Sequence, residues 1–130
     1  HKKQRPGSRE LVIEFWSQLN SICVELTAEE HDFILAKTSH LPHVLAYAFM
    51  SMLSRDDLSY SGSGLDDFTR IAGANPEMWW AIFSLNETSL SKAMDSFQQT
   101  FSKLRSAILK RDQQTALEIM NSAYDRRKSI

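Results

Sequence analysis

The stretch LSKAMDSFQQTFSKLRSAI, residues 90–108, places Leu90, Met94, Phe97, Phe101, Leu104 and Ile108 at alternating steps of four and three. Steps of four and three return a side chain to the same side of a helix, whereas a strand needs a period of two. Such a seam lets helices lie lengthwise against one another. It serves a helix contact within the chain or an interface between subunits. Downstream, Asp112 is placed to cap a last helix carrying Leu117, Met120 and Tyr124. Upstream, Asn75-Pro76 reads as a cap followed by proline at the first helical position. The helix it opens holds Trp79-Trp80, and adjacent residues cannot share one helix face. One tryptophan therefore belongs to the core and the other reaches a cleft or a partner.

Farther upstream, a short helix is expected over Leu65–Ala72 and a loop over Arg55–Gly64. His43–Leu53 (HVLAYAFMSML) is apolar nearly all round, the pattern of a buried central helix, and Pro42 predicts a break or kink near Ser39–Pro42. Thr27 and Glu30 fit a capping box opening a helix toward Thr38. Ser8 is a candidate cap for a helix over Arg9–Leu19, with Leu11, Val12, Phe15, Trp16 and Leu19 on one face. Only SICVEL (residues 21–26) reads as a strand, and glycine and proline together number seven, 4 and 3. The expected class is all-α.

The chain has 130 residues, 42% hydrophobic and 24% charged, which suits one ordinary globular domain. Fifteen basic residues against sixteen acidic ones give a net charge of −1 and no general pull toward nucleic acid or an anionic membrane. The single cysteine, Cys23, lies between Ile22 and Val24 and is expected to be a buried, inert thiol. The opening HKKQRPGSRE is basic, polar and broken by Pro6-Gly7. It reads as the remnant of an interdomain linker over residues 1–9, with the domain over 10–130. It has no apolar signal core, and no later run is long enough to span a membrane. A cytoplasmic location is expected.

Four histidines raise the question of a metal, and His40 and His43 are three residues apart. Pro42 stands between them and no recognisable ligand set accompanies them, so no metal is expected. Ser61–Arg70 (SGSGLDDFTR) is more informative. Its glycines allow close approach of backbone to a ligand, and Asp66 and Asp67 suit the start of the following helix. Arg70, four and three residues beyond them, is either half of a solvated ion pair or a planar fork for a carboxylate.

HDFILAKTSHLPH (residues 31–43) and GLDDFTRIAGANPEMW (residues 64–79), in that order, resemble the prephenate/arogenate dehydrogenases of tyrosine biosynthesis. The similarity is to that family's helical C-terminal domain and runs over essentially the whole chain. It implies a multi-helix substrate-binding and dimerisation domain, with a kinked buried central helix and long C-terminal helices. The family's N-terminal Rossmann domain has no counterpart here. That domain would bind the NAD or NADP and carry the histidine that polarises the substrate hydroxyl, so no catalytic or cofactor-binding residue is expected in this chain. The implied reaction is an oxidative decarboxylation.

By the same resemblance, Arg70 matches a substrate-binding arginine that holds a carboxylate, and Asp67 an acidic residue in an ionic network at the site entrance. His43, with His40 and Ser39, matches residues lining the pocket. Trp79 matches a tryptophan near the substrate side chain, and Gly64 belongs to a glycine loop. Where the family commonly has three glycines and a phenylalanine, this chain has Gly62-Ser63-Gly64-Leu65. A homodimer is implied, binding prephenate or arogenate, with tyrosine as a possible inhibitor. The alternative is a stand-alone helical dimeric module for interaction or tyrosine sensing, without catalysis.

Overall fold

A computed structural model describes residues 7–130, and all regular structure among them is helical. The chain divides into two compact units, one ending at His31 and one running from Asp32 to Ile130. Most of the expected linker lies outside the described residues, and Ser8 and Arg9 already belong to a helix.

In the first unit, α1 spans Ser8–Gln18. Gly7, not Ser8, occupies the cap position, at φ 83 and with no side-chain cap bond. This left-handed backbone is one glycine adopts without strain. Asn20 closes the helix in a left-handed conformation, φ 57, while Ser21 N–H donates to Trp16 O and Asn20 N–H to Ser17 O. These two bonds satisfy the terminal carbonyls in the Schellman arrangement. SICVEL then runs without regular structure, and Cys23 is exposed, contrary to its apolar sequence neighbours. Its Sγ lies 3.9 Å from Ile13 O of α1, which leaves the residue open to solvent.

The Thr27–Glu30 capping box forms as expected. Thr27 N–H donates to Glu30 Oε2 at 2.8 Å, and Glu30 N–H donates to Thr27 Oγ1 at 3.1 Å. It opens α2, Ala28–Leu35. The irregularity expected at Ser39–Pro42 takes the form of a π turn over Ala36–His40, where Leu41 N–H reaches Ala36 O. A proline inside a helix brings no N–H and crowds the carbonyl four residues back, here that of Thr38. The wider turn ahead of Pro42 relieves that crowding and passes into α3, Leu41–Met52. Within the single chain α3 is half-buried, with Ala46 fully enclosed.

Arg55–Gly64 is more ordered than a loop. Ser54 and Asp57 form a second capping box around α4, Arg55–Leu58. α5, Ser63–Thr69, starts two residues earlier than expected and tightens into a 3-10 turn over Arg70–Gly73. Asn75 Oδ1 accepts from Met78 N–H at 2.9 Å, capping α6, Pro76–Leu85. α7, Glu87–Lys110, is the long helix of the seam, and Asp112 caps α8, Gln113–Lys128, by accepting from Thr115 N–H. α3 packs on α5, the 3-10 turn and α7, while α7 also packs on α6 and α8.

Among the described residues the enclosed apolar side chains are few: Ala36, Ala46, Trp79, Leu90, Ala93 and Ala107. Four of the six are alanines, which let helix backbones approach closely but bury little area each. Only Leu90 of the seam is buried, whereas Met94, Phe97, Phe101 and Ile108 are exposed. Next to them, Val44, Trp80, Phe83, Leu90 and Met94 line an open apolar groove of about 490 Å³ between α3, α6 and α7. No helix among the described residues is long and apolar enough to cross a membrane.

Candidate functional site

The π turn and the first turns of α3 gather the polar residues of the Ser39–His43 segment against α6. Trp79 is the anchor, 8% exposed. The imidazole of His43 stacks on it with ring centroids 3.4 Å apart and planes 21° from parallel. His40 meets the same indole edge-on at 6.2 Å, and Phe83 tilts against it at 5.6 Å. The split of the tryptophan pair is as expected, since Trp80 is 71% exposed and lines the apolar groove.

The hydrogen bonds set the tautomers. His43 Nδ1 lies 2.9 Å from Ser39 O, and a carbonyl only accepts, so Nδ1 carries the proton and donates. Its Nε2 has no partner among the described residues. His40 is buried, and its Nδ1 accepts from Asn86 Nδ2 at 3.2 Å. The same Asn86 amide donates to Asp32 O at 2.7 Å. Asn86, at the junction of α6 and α7, thereby ties the end of α6 to α2 and to the π turn. Sequence reading missed it, because an asparagine between two helices reads as a cap, and its side chain caps neither.

One polar atom is left over. Trp79 Nε1 is buried and has no hydrogen-bond partner among the described residues. A native protein rarely leaves a buried donor unpaired, and such a group costs about 1–3 kcal/mol. An acceptor brought by a ligand would remove that penalty only once the side chains that enclose the atom move aside, since it is closed to solvent here.

Arg70, Asp67 and Gly64 sit on α5 and the 3-10 turn, on the other elements that pack against α3. Phe68 meets Phe49 of α3 edge-on at 5.3 Å, and Tyr47 O–H donates to Ala74 O at 2.8 Å, fixing this segment on α3. Arg70 is exposed and forms no ion pair with Asp66 or Asp67 among the described residues, so its guanidinium is not committed to the solvated pair. A Cβ at Gly62 or Gly64 would meet open space, so packing within this chain does not demand glycine at either position. Ser39, His40, His43 and Trp79 thus form one cluster, and no hydrogen bond or ring contact among the described residues joins Arg70, Asp67 or Gly64 to it. No group of three or more metal-ligating side chains is assembled among the described residues.

The class of protein this arrangement defines is an all-helical domain with a candidate site on its π turn. It carries an imidazole–indole cluster with unspent hydrogen-bonding groups among the described residues, an exposed arginine outside any ion pair, and a large uncovered apolar face. Residues 27–122 match the family model described as "Prephenate dehydrogenase, dimerization domain", and the chain belongs to that family. It is 32% identical over 126 residues to a cyclohexadienyl dehydrogenase of Zymomonas mobilis, covering 92% of this chain and 43% of the relative. It is 26% identical to a prephenate dehydrogenase of Bacillus subtilis, covering 85% of this chain and 32% of the relative. The chain therefore spans less than half the length of these relatives. Among solved structures, prephenate dehydrogenase from A. aeolicus, in complex with hydroxyphenyl propionate and NAD+, superposes with a TM-score of 0.84. The two are 29% identical, and the match covers 99% of this chain and 47% of that one. The fold is also that of Synechocystis arogenate dehydrogenase, TM-score 0.79 at 21% identity.

Proposed function

We propose that this chain is the substrate-binding and dimerising part of an NAD(P)-dependent prephenate or arogenate dehydrogenase, acting in the cytoplasm in tyrosine biosynthesis. The observation that carries the reading is the buried, unpaired indole N–H of Trp79, stacked against a histidine whose Nε2 is also unspent. A cyclohexadienyl substrate brings both a flat ring and carboxylate or carbonyl oxygens to such a wall.

A bound nicotinamide nucleotide would supply the hydride acceptor for an oxidative decarboxylation, in which the ring carbon bearing the hydroxyl would give up a hydride and the hydroxyl its proton, CO2 would leave the opposite ring carbon, and the ring would become aromatic. The nucleotide and the proton-abstracting histidine are assigned to a preceding domain. This chain's own residues bind and orient. Arg70 offers a planar fork to a carboxylate, and Asp67 belongs to an ionic network at the site entrance. Trp79 Nε1 donates to a second substrate oxygen, and His43 presents Nε2 beside it. The Ser39 carbonyl keeps His43 in one rotamer, and His40, held by Asn86, packs edge-on against the same indole. Gly64 leaves room for the ligand at the start of α5. Orientation of this kind lowers the barrier by proximity and not by acid–base chemistry. Tyrosine shares the ring and the carboxylate and competes for the same wall.

The exposed seam of α7 and the adjoining groove are the homodimer surface. An alanine-rich core of this size leaves too much apolar area in water for a lone subunit.

The test uses the full-length protein with prephenate or arogenate and NAD+ or NADP+. At least one pairing yields reduced nucleotide, while the 130-residue chain yields none. A full-length protein inactive with all four pairings, or a turning-over isolated chain, contradicts the assignment.

A further inference from the structure

The two halves of the candidate site share one element. Ser39, His40 and His43 span the π turn and the start of α3, whereas Arg70 lies on the 3-10 turn that follows α5. That turn is attached to α3 on both sides of the arginine. Two residues before it, Phe68 meets Phe49 edge-on at 5.3 Å. Four residues after it, Ala74 O accepts from Tyr47 O–H at 2.8 Å. Among the described residues, the Tyr47 bond is the one hydrogen bond that ties residues 63–74 to another helix. Thr69 O–H and Ala74 N–H bond within the segment, to Leu65 O and Ile71 O.

The attachment has a directional part and a loose part. Phe68 is 53% exposed, and an edge-on ring contact tolerates sliding. A hydrogen bond fixes both distance and direction. The 3-10 turn needs such a fix, because its own bonds have poorer geometry than those of an α-helix. Tyr47 stands four residues beyond His43, so the two share a face of α3, one turn and about 6 Å apart along its axis. One rigid helix thus carries the ring that stacks on Trp79 and the hydroxyl that holds the arginine's turn.

We infer that Tyr47 is a positioning residue: through Ala74 its hydroxyl sets where Arg70 stands relative to the His43–Trp79 stack, and with it the span across which a carboxylate-bearing ring is held. The inference rests on the proposed function, which gives Arg70 the carboxylate. Tyr47 acts through the turn and not on the substrate. Tyr47→Phe removes one oxygen and keeps the half-buried ring, so the fold stays while the turn is released.

Steady-state kinetics on the full-length protein compare the parent, Tyr47→Phe, Arg70→Ala and the double variant, with prephenate or arogenate varied at saturating nucleotide. Tyr47→Phe raises KM about 3- to 10-fold with kcat within about twofold. In the Arg70→Ala background the same change alters kcat/KM by less than about twofold, since a turn without the guanidinium has nothing left to place. An unchanged KM in Tyr47→Phe overturns the inference. So does an equal fold-change in both backgrounds, which assigns the hydroxyl to stability alone. Arg70→Ala by itself reads the proposed function: a KM within about twofold of the parent overturns that placement of the carboxylate, and the inference falls with it. A raised KM in Arg70→Ala beside an unchanged one in Tyr47→Phe overturns the inference alone.

Discussion

Replacing Trp79 by phenylalanine in the full-length protein separates the ring of this residue from its N–H. Phenylalanine keeps an aromatic face over His43, whose ring lies 3.4 Å from the indole. It gives up roughly 40 Å² of burial, about 1 kcal/mol at 25 cal/mol per Å², with a similar term for the space left behind. Against that loss, it removes a buried donor that has no partner, worth about 1–3 kcal/mol. The two nearly cancel, so unfolding free energy in denaturant should change by less than about 1.5 kcal/mol. Binding responds differently. A ligand oxygen that accepts from Nε1 loses about 1–3 kcal/mol, raising the Kd about 5- to 150-fold. Calorimetric titration with hydroxyphenyl propionate, the ligand of the A. aeolicus complex, reads that change directly. A stability loss above about 3 kcal/mol with an unchanged Kd would refute the reasoning, because the indole would then be packing alone.

Asn86→Ala strands a carbonyl and an imidazole nitrogen and should destabilise the fold by about 2–4 kcal/mol in thermal or urea melts. Asn86→Asp should do no better, since both bonds come from Nδ2 and a carboxylate cannot donate. Met94→Glu combined with Phe101→Glu places charge on the exposed seam and should convert a dimer to monomers in sedimentation, while Ala93→Glu should instead unfold the chain. Hydrogen bonds hold three carboxyls below their ordinary values of 3.8 for aspartate and 4.5 for glutamate: Asp112 by Thr115, Asp57 by Ser54 and Glu30 by Thr27. Their stabilisation is complete above those ordinary values and is lost as pH falls below them. Asp112→Asn with Asp57→Asn should therefore flatten the acid limb of the stability curve, and an equally steep limb would contradict the capping account.

The caps were legible because they are local. Thr27, Asn75 and Asp112 each need only a partner three residues away, and each forms its bond. Ser54–Asp57 has the same spacing but was hidden in a polar, glycine-bearing run that reads as loop. Burial was less legible, because periodicity tells which side chains share a face and not what covers that face. The apolar α3 is half-buried and Cys23 exposed for that reason. In the candidate site, the resemblance singled out His40, His43 and Trp79, and the fold stacks His43 on the indole and sets His40 edge-on to it. Asn86 escaped because it acts through partners 46 and 54 residues away, and nothing local marks such a contact.

The central claim is that this helical domain holds the substrate carboxylate, and Arg70 is where it is most exposed to test. Arg70 is solvent-exposed and forms no ion pair among the described residues, so its removal should leave stability within about 0.5 kcal/mol. Steady-state kinetics of full-length Arg70→Ala should show KM for prephenate or arogenate raised about 30- to 900-fold, on the order of 2–4 kcal/mol, with Arg70→Lys restoring little. A KM within about twofold of the parent enzyme would show that the carboxylate is held elsewhere.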